Sequence, residues 1–286
     1  MKLLWLIPLL LVLYIVFLDY LSKRAYAYEK KAHKKSPANF DIPFEEVRIP
    51  VPHGGELYGW SITGKPDMPT LLLIHGWSRN VERVLPYIRH LHPLGYTLLA
   101  IDARNHGSST TLEAPTVGTF TEDVLAAVNF LAAQNPSTTL GLIGLSIGGG
   151  ASIAAAGQDK RIQATITVGA ISHPVELMKA HFTERNIPSF LVTSLFLYMR
   201  LRYGIDYERI APINHIQNAD GKLLIVHGEN DETVPLAQGR QLAAANPTHA
   251  RLWVVPDKGH SDCHLHPEFW SHMDEFLVEN LAKRDE

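Results

Sequence analysis

This sequence has only one cysteine and a small net charge, and each fact restricts the classes of protein to which it can belong. The one cysteine, Cys263, cannot form a disulfide within the chain, so cysteine usage does not indicate a redox compartment. The net charge of −3 gives no reason to expect nucleic acid as a partner. No internal repeat or long low-complexity tract interrupts the 286 residues, of which 46% are hydrophobic and 19% are charged. This ordinary globular usage is enough for one large domain or two small ones.

Charge is also absent from one long stretch at the N-terminus. Residues 3–18 contain no charged side chain, and the apolar run continues to Leu21 with only Asp19 interrupting it. A helix of this length spans roughly 28 Å, which is close to the thickness of the hydrocarbon core of a membrane. We therefore expect residues 1–21 to form an uncleaved, single-pass transmembrane anchor.

Two other interpretations of this stretch remain open. Residues 25–27, Ala-Tyr-Ala, have the form of a signal-peptide cleavage site. However, the apolar run is longer than a signal-peptide core, and Lys23 and Arg24 lie before the site. A buried core helix is disfavoured because the run is apolar on all sides.

A basic linker is expected over residues 22–43, between the anchor and the globular part. Six positive charges follow the apolar run: Lys23, Arg24, Lys30, Lys31, Lys34 and Lys35. By the positive-inside rule, this charge places the globular part in the cytoplasm. The linker is either in contact with anionic lipid or a solvated spacer.

Strands and amphipathic helices alternate from residue 44 onward. Apolar helical spacing occurs at 81–92, 120–134 and 268–281, and small residues that indicate a helix start follow residue 147. Eight segments have the apolar patterns of strands: 44–51, 56–62, 70–74, 97–101, 140–145, 164–168, 222–226 and 251–255. We expect an α/β fold with a mostly parallel central sheet of about eight strands, covered by helices on both faces.

A Gly-x-Ser-x-Gly motif lies between a predicted strand and a predicted helix. In Gly144 to Gly148, a sharp turn would place the hydroxyl of Ser146 clear of the backbone at the carboxyl edge of the sheet. The helix that follows presents amide groups that can hold negative charge. These are the requirements of a nucleophile in acyl transfer, although a glycine-rich turn without catalytic function has the same composition.

Partners for this serine are expected after other strands, because reacting groups gather at the carboxyl edge of such a sheet. Asp231 follows the strand at 222–226 and is favoured as the acid over Glu229 and Glu232. His260 follows the last strand and is the candidate base. Asp102 also follows a strand, but we interpret it as a structural carboxylate that braces its own loop.

A metal site is the alternative interpretation of residues at the same edge. His260, Asp262, His264 and His266 alternate as metal ligands on an extended segment can. Pro267 and the helix after it indicate a loop instead. We therefore expect neither a metal nor an organic cofactor.

The surroundings of the serine are predicted from two further segments. His75-Gly76-Trp77 follows a buried strand, so the backbone N–H groups of Trp77 and Ile147 are the candidate oxyanion donors. A helical insertion at about 175–216 contains the apolar run 190–199, and we expect it to form a lid over an acyl pocket. The pocket residues expected are His75, Leu195 and Phe196. The alternatives are a helix that only packs on the domain, or one that contacts a membrane.

Residues 44–281 resemble the α/β-hydrolase family, in particular its serine-aminopeptidase-like and esterase/lipase branch. The resemblance rests on five motifs: His75-Gly76, the run from Asp102 to Ser108, the Gly144–Gly148 turn, His227-Gly228-Glu229-Asn230-Asp231 with Val234-Pro235, and Gly259-His260. The order of serine, aspartate and histidine is also that of the family. Asn105 stands where the family often has glycine, and asparagine tolerates a left-handed backbone.

The resemblance implies that Ser146 is the nucleophile, His260 the base and Asp231 the acid of a serine hydrolase. The expected reaction is cleavage of a carboxylic ester through an acyl-enzyme, with a small acyl or lipid-like substrate. A peptidase or a thioesterase is the alternative within enzymes, since such a triad does not choose the bond. A membrane-anchored binding module without turnover is the alternative outside them.

Overall fold

One sheet of eight strands forms the centre of the computed structural model, which describes residues 6–27, 30–52 and 54–281. In chain order the strands are β1 (Glu45–Pro50), β2 (Glu56–Ile62), β3 (Thr70–Ile74), β4 (Thr97–Ile101), β5 (Leu140–Leu145), β6 (Ile162–Val168), β7 (Lys222–Gly228) and β8 (Ala250–Val255). Their order in the sheet is β1-β2-β4-β3-β5-β6-β7-β8. The pairs β1–β2 and β2–β4 are antiparallel and the other five are parallel. The predicted mostly parallel sheet is therefore confirmed.

Helices cover both faces of this sheet. In chain order the α-helices of the described residues are α1 (Leu6–Tyr26), α2 (Leu85–Leu94), α3 (Val117–Gln134), α4 (Ile147–Ala156), α5 (Pro174–Glu184), α6 (Ser189–Tyr203), α7 (Tyr207–Ile210), α8 (Leu236–Ala245) and α9 (Phe269–Leu281). Strand β3 is buried along its whole length because successive side chains enter opposite cores. Leu72 packs in the core that contains Phe120 of α3, and Leu71 packs in the core that contains Phe276 of α9.

Helices α5, α6 and α7 occupy the part of the chain for which we expected a helical insertion. They lie between β6 and β7 in the sequence. Helix α6 carries both buried and exposed apolar side chains: Leu195 and Met199 are buried, whereas Phe190 and Leu201 are exposed. The insertion therefore has an inner apolar face and an outer one.

Helix α1 is long and apolar enough to cross a membrane, by length and composition. Most of its large apolar side chains are exposed, and it contacts the rest of the protein chiefly through α6. Leu18 packs against Leu195 and Met199, and the hydroxyl of Tyr198 donates a hydrogen bond to Oδ1 of Asp19 at 2.8 Å. Residues 1–5 of the expected anchor lie outside the described residues.

The segment expected to be a linker packs against the loops after β3 and β4. The Lys30 ammonium group donates to the carbonyl of Ser109, and the ring of His33 lies 2.8 Å from Oδ2 of Asp102. The amides of Lys34 and Lys35 both donate to the side chain of Glu82. These contacts connect the segment after α1 to the same loops that border Ser146.

Candidate active site

The turn between β5 and α4 holds Ser146 in a backbone conformation that few residues adopt. Its φ of 55° and ψ of −122° lie outside the regions that ordinary residues occupy. Such strain persists only where the surroundings impose it, and it is frequent at functional sites. Part of the constraint is close packing: a Cβ atom on Gly148 would stand 2.3 Å from the carbonyl oxygen of His75. The glycine therefore allows α4 to approach the neighbouring loop.

Ser146, His260 and Asp231 form one continuous hydrogen-bonded chain. Oγ of Ser146 lies 2.9 Å from Nε2 of His260, and Nδ1 of the same ring lies 2.8 Å from Oδ2 of Asp231. The three residues come from the ends of β5 and β7 and from the loop after β8. The structure thus brings together the three side chains that were predicted from the sequence. A serine beside an imidazole that is oriented by a carboxylate is a geometry suited to nucleophilic attack.

The carboxylate of Asp231 is held by backbone groups of its own loop. Its Oδ1 accepts hydrogen bonds from the amides of Thr233 at 3.0 Å and Val234 at 2.8 Å, which leaves Oδ2 for the histidine. Asp231 is buried, whereas its two rivals, Glu229 and Glu232, are exposed. The buried carboxylate of Asp231 forms a hydrogen bond with the ring of His260. Among the described residues, neither glutamate forms a hydrogen bond with that ring.

Gly169 is a site residue that the sequence analysis missed. It follows β6, has a φ of +62°, and its Cα faces the pair formed by His260 and Asp231. A Cβ atom there would lie 2.9 Å from Nδ1 of His260 and 3.2 Å from Oδ2 of Asp231. The position therefore requires glycine both for the backbone and for space. Its place after a strand was the available signal, but no motif singled it out.

Asp102 has the structural role that we expected. Its Oδ1 accepts a hydrogen bond from the amide of Val81 at 2.7 Å, and its Oδ2 accepts one from the amide of Ser108 at 2.9 Å. Burial acts to raise the pKa of Asp102, but its hydrogen bond to His33, the charge of that imidazole and the hydrogen bond from the amide of Ser108 lower it below its usual value. The ionised carboxylate ties the loop after β3 to the loop after β4.

The loop after β3 contains the first candidate oxyanion donor, Trp77. The side chain of the preceding His75 is buried; its Nδ1 lies 2.7 Å from the carbonyl oxygen of Gly76, and its Nε2 accepts from the amide of Ala103 at 3.1 Å. Burial lowers the pKa of His75, in keeping with a neutral ring that donates at one nitrogen and accepts at the other. The ring therefore fixes the loop that positions Trp77.

The second candidate donor is the amide of Ile147, the first residue of α4. The first amides of a helix have no acceptor within the helix, so they are available to a ligand. The amide of Ser146 itself is already used, since it donates to the carbonyl of Val168 at 2.8 Å. Trp77 and Ile147 both border the cavity next to Ser146.

Two cavities meet at Ser146 and differ in their chemistry. The first, of about 330 Å³, is lined mainly by apolar side chains, including Leu177 and Met199 of the insertion and Tyr26 at the end of α1. The second, of about 300 Å³, is lined by His260 and by polar groups that include Arg83. The serine hydroxyl therefore stands between an apolar and a polar compartment.

Three residues that we expected in the apolar pocket lie elsewhere. His75 is fully buried in the hydrogen bonds described above, and it lines neither cavity. Leu195 packs against Leu18 of α1, and the ring of Phe196 contacts the ring of Tyr207 at 5.3 Å. The sequence pattern could not show which face of α6 is turned toward the sheet. Met199, on the next turn of α6, borders the cavity instead.

The alternating residues after β8 are not gathered as metal ligands. Oδ1 of Asp262 accepts from the amide of Gly259 at 2.8 Å, and Nδ1 of His266 accepts from the amide of Glu268 at 3.3 Å. Residues 263–265 form a turn of 3₁₀ helix rather than an extended segment. Across the described ranges, no three side chains of His, Cys, Asp or Glu are placed to hold a metal ion.

The chain is similar to several known proteins. Residues 69–200 match the family model described as alpha/beta hydrolase fold. The uncharacterized protein YqkD of Bacillus subtilis (strain 168) is 24% identical over 226 residues, covering 74% of this chain and 72% of YqkD. The thiohydrolase aneE of Aspergillus aculeatus is 30% identical over 159 residues, covering 54% of this chain and 48% of aneE.

A solved structure has a similar architecture. The esterase Pf2001 of Pyrococcus furiosus superposes with a TM-score of 0.72 at 22% sequence identity, covering 88% of this chain and 97% of the esterase. These similarities agree with the order and direction of the strands and with the position of the turn at Ser146: all indicate the same fold. The chain has the alpha/beta hydrolase fold.

Proposed function

We propose that the protein is a serine hydrolase that cleaves carboxylic esters with an apolar acyl group. The observation that carries the proposal is the chain of two hydrogen bonds, 2.9 Å and 2.8 Å long, from Ser146 through His260 to Asp231. A likeness of fold alone would not support an activity, because one fold serves many chemistries. The arrangement of these three side chains supports nucleophilic acyl transfer.

The reaction takes place in two steps. Nε2 of His260 accepts the proton of Ser146 as Oγ attacks the ester carbonyl, and Asp231 stabilises the imidazolium that forms. The amides of Trp77 and Ile147 hold the negative charge on the tetrahedral intermediate; the loss of one such donor costs roughly 3 kcal/mol. His260 then gives its proton to the departing alcohol. In the second step, water attacks the acyl-enzyme by the same route and releases the acid.

The apolar cavity supports an acyl chain as the part of the substrate bound beside Ser146. Its volume of about 330 Å³ and its lining by Leu177, Met199 and Ile210 suit a short to medium hydrocarbon chain. The insertion that supplies these residues acts as the lid of the pocket. Tyr26 and Ala25 at the end of α1 complete the wall, so the pocket lies next to the helix that would enter a membrane.

Labelling with a fluorophosphonate probe tests the assignment of the nucleophile. The wild-type protein is expected to be labelled and to hydrolyse p-nitrophenyl butyrate, and the Ser146→Ala variant is expected to do neither. The Ser152→Ala variant is a matched control, since Ser152 lies in α4 and its hydroxyl donates to the carbonyl of Gly148. Labelling that persists in Ser146→Ala excludes the proposed nucleophile. A folded wild-type protein that is neither labelled nor active indicates the binding module instead.

A thioester is the second candidate substrate. The similarity to a protein named thiohydrolase favours it, and the triad acts on both classes of bond. A panel of oxygen esters, thioesters and aminoacyl amides with the same butyryl or alanyl group separates the three activities. The bond with the highest kcat/KM identifies the natural class, and a preference for the amide would indicate a peptidase.

We further propose that α1 anchors the protein in a membrane, with residues 44–286 as the catalytic domain on the cytoplasmic side. The exposed apolar surface of α1 and the basic residues after it support this topology. The protein is expected to stay in the membrane fraction after carbonate washing. In right-side-out vesicles or intact cells, the catalytic domain is expected to resist added protease. Release by carbonate contradicts the anchor, and digestion contradicts the orientation.

A further inference from the structure

Two arginine residues border the polar cavity beside Ser146. Its lining includes Arg79 and Arg83, together with Ser261 and His264. No aspartate or glutamate is among the described residues that border it. A pocket with this charge favours a ligand group that carries negative charge.

Both arginines are available to a ligand. Nη2 of Arg83 donates to the carbonyl oxygen of Ser261 at 2.6 Å, which leaves its other N–H groups for the cavity. Arg79 is exposed and also borders the cavity. In the described ranges, neither guanidinium group forms an ion pair. Two carboxylates lie nearby in the same ranges, and both accept hydrogen bonds from backbone amides: Glu82 from Lys34 and Lys35, and Asp262 from Gly259. Neither forms an ion pair with Arg79 or Arg83.

The positive charge of the cavity comes from these arginines rather than from the neighbouring His264. Burial and the charge of Arg83 lower the pKa of His264, so its ring is neutral at pH 7. A neutral imidazole adds hydrogen-bonding capacity without charge. Arginine side chains stay charged in proteins, so the two arginines give the cavity two fixed positive charges.

The position of His260 identifies which half of the substrate enters this cavity. The ring borders the polar cavity but not the apolar one. In acyl transfer, the imidazolium must protonate the leaving oxygen, so the alcohol half of an ester lies on the side of the histidine. The acyl half then occupies the apolar cavity.

We infer that the enzyme prefers esters whose alcohol half carries an anionic group, a carboxylate or a phosphate, which Arg79 and Arg83 bind. This inference rests on the proposed ester hydrolysis and specifies its substrate class. The substrate is then an amphiphile, with an apolar acyl chain on one side of Ser146 and a negative charge on the other.

A set of three butyryl esters tests the inference on the full-length protein in neutral detergent. The alcohol halves are 4-hydroxyphenylacetamide, 4-hydroxyphenylacetate and 4-hydroxybenzylphosphonate. A methylene group separates the amide, carboxylate or phosphonate from the phenol ring, so the three leaving groups have similar reactivity. We expect kcat/KM for at least one anionic ester to exceed that for the neutral amide by about 5- to 10-fold, and the preference to shrink in 0.5 M salt.

Substitutions of the arginines locate the preference in the cavity. The ratio of anionic to neutral kcat/KM should fall to about 1 in the double variant Arg79→Gln/Arg83→Gln. The double variant also loses the hydrogen bond from Arg83 to Ser261, and a resulting shift of Ser261 would change the rates of all three esters alike. The ratio of anionic to neutral kcat/KM is therefore measured, rather than the absolute rate. Arg83→Lys should keep most of the preference, and Arg240→Gln, on the exposed surface of α8, is the matched control.

The outcomes separate the two proposals. Neutral hydrolysis without any preference for either anionic ester overturns the inference and leaves the proposed function standing. A preference that survives in the double variant also overturns it. If none of the three esters is hydrolysed by folded protein, ester hydrolysis itself fails, and the inference fails with it.

Discussion

Gly169 lies directly against His260: a Cβ atom at this position would stand 2.9 Å from Nδ1 of the histidine ring. The contact arises because the chain leaves β6 with a positive φ and passes beneath the bond between His260 and Asp231. A residue with no side chain thus sets the position of the base. This relationship gives the first of five predictions.

The Gly169→Ala substitution should reduce catalysis far more than it reduces stability. The methyl group must displace His260, and a displacement of about 1 Å lowers kcat by roughly 10²-fold. Gly204→Ala is the matched control, because Gly204 has a similar φ of +66° but no atom within 4 Å of the added Cβ. Both variants should lose about 1 kcal/mol of stability from backbone strain. Equal activity in the two variants contradicts the role of Gly169.

The Asp231→Asn substitution should lower kcat by about 10³- to 10⁴-fold while the fold is kept. The Oδ1 of asparagine can still accept from Thr233 and Val234, so its NH₂ group faces Nδ1 of His260 and favours the wrong tautomer. Steady-state kinetics and circular dichroism measure the two effects. Glu232→Gln is the control, since Glu232 is exposed on the same loop. A comparable loss in that control indicates that the loop, rather than the carboxylate, is responsible.

The Leu177→Trp substitution should shorten the acyl chains that the enzyme accepts. Leu177 lines the apolar cavity, so a larger ring fills space that a medium chain needs. We expect kcat/KM for an octanoyl ester to fall by about tenfold relative to that for an acetyl ester. Leu201→Trp, where the native side chain is 77% exposed, should leave the ratio unchanged. An unchanged ratio in Leu177→Trp places the acyl chain elsewhere.

His106 should make the protein less stable as the pH falls below 6.5. Burial lowers the pKa of His106 to about 4 from its ordinary value of 6.5. Between these two pH values the imidazole is protonated in the unfolded chain but neutral in the folded protein, which favours unfolding. The free energy of unfolding should therefore be unaffected by the titration of His106 above pH 6.5 and should fall by about 3 kcal/mol between pH 6.5 and 4.

The His106→Gln variant isolates this effect. Glutamine does not titrate and can accept the hydrogen bond that the amide of Ser78 donates to Nε2 of His106. Urea unfolding from pH 4.5 to 8 should show that the stability advantage of the wild type over the variant shrinks as the pH falls. Parallel pH profiles for the two proteins exclude a depressed pKa at this position.

His33 should have the opposite pH dependence. Its hydrogen bond to Asp102 raises the pKa of the imidazole above 6.5, so the bond contributes stability that is fully present below 6.5 and lost as the pH rises through the folded pKa. We expect His33→Gln to cost about 1–2 kcal/mol at pH 6 and less at pH 9. Lys35→Gln is a control in the same segment, as only its backbone amide makes a hydrogen bond that the structure records. A cost that is constant with pH indicates that His33 acts through packing alone, as its stacking on Tyr58 permits.

Much of the fold could be predicted because strand and helix patterns are local. The continuously apolar run at Thr70–Ile74 becomes a strand buried on both faces, and the predicted bounds of β2, β3, β4 and β5 match those observed. Boundaries set by capping were less accurate. Helix α3 begins at Val117 rather than Phe120, because the hydroxyl of Thr116 accepts the amide of Thr119 and starts the helix earlier.

Site residues that follow a strand within a recognisable motif could be predicted from the sequence. Contacts between segments that are far apart in the chain could not. Ser146, Asp231 and His260 were nominated because parallel strands deliver their carboxyl ends to one edge. His33 was missed because its partner, Asp102, lies 69 residues away. The wall formed by Tyr26 was missed because nothing local shows that α1 would lie along α6.

The succession of strands and helices along the chain, the sharp turn at Ser146 and the long apolar helix at the N-terminus follow from local sequence patterns, because each depends on residues close together in the chain. Which side of the serine is apolar and which is cationic, and which face of α6 borders the cavity, depend on the packing of the folded chain. Those properties arise when side chains from separate elements are brought within a few ångströms of one another, and packing of the whole chain sets their distances.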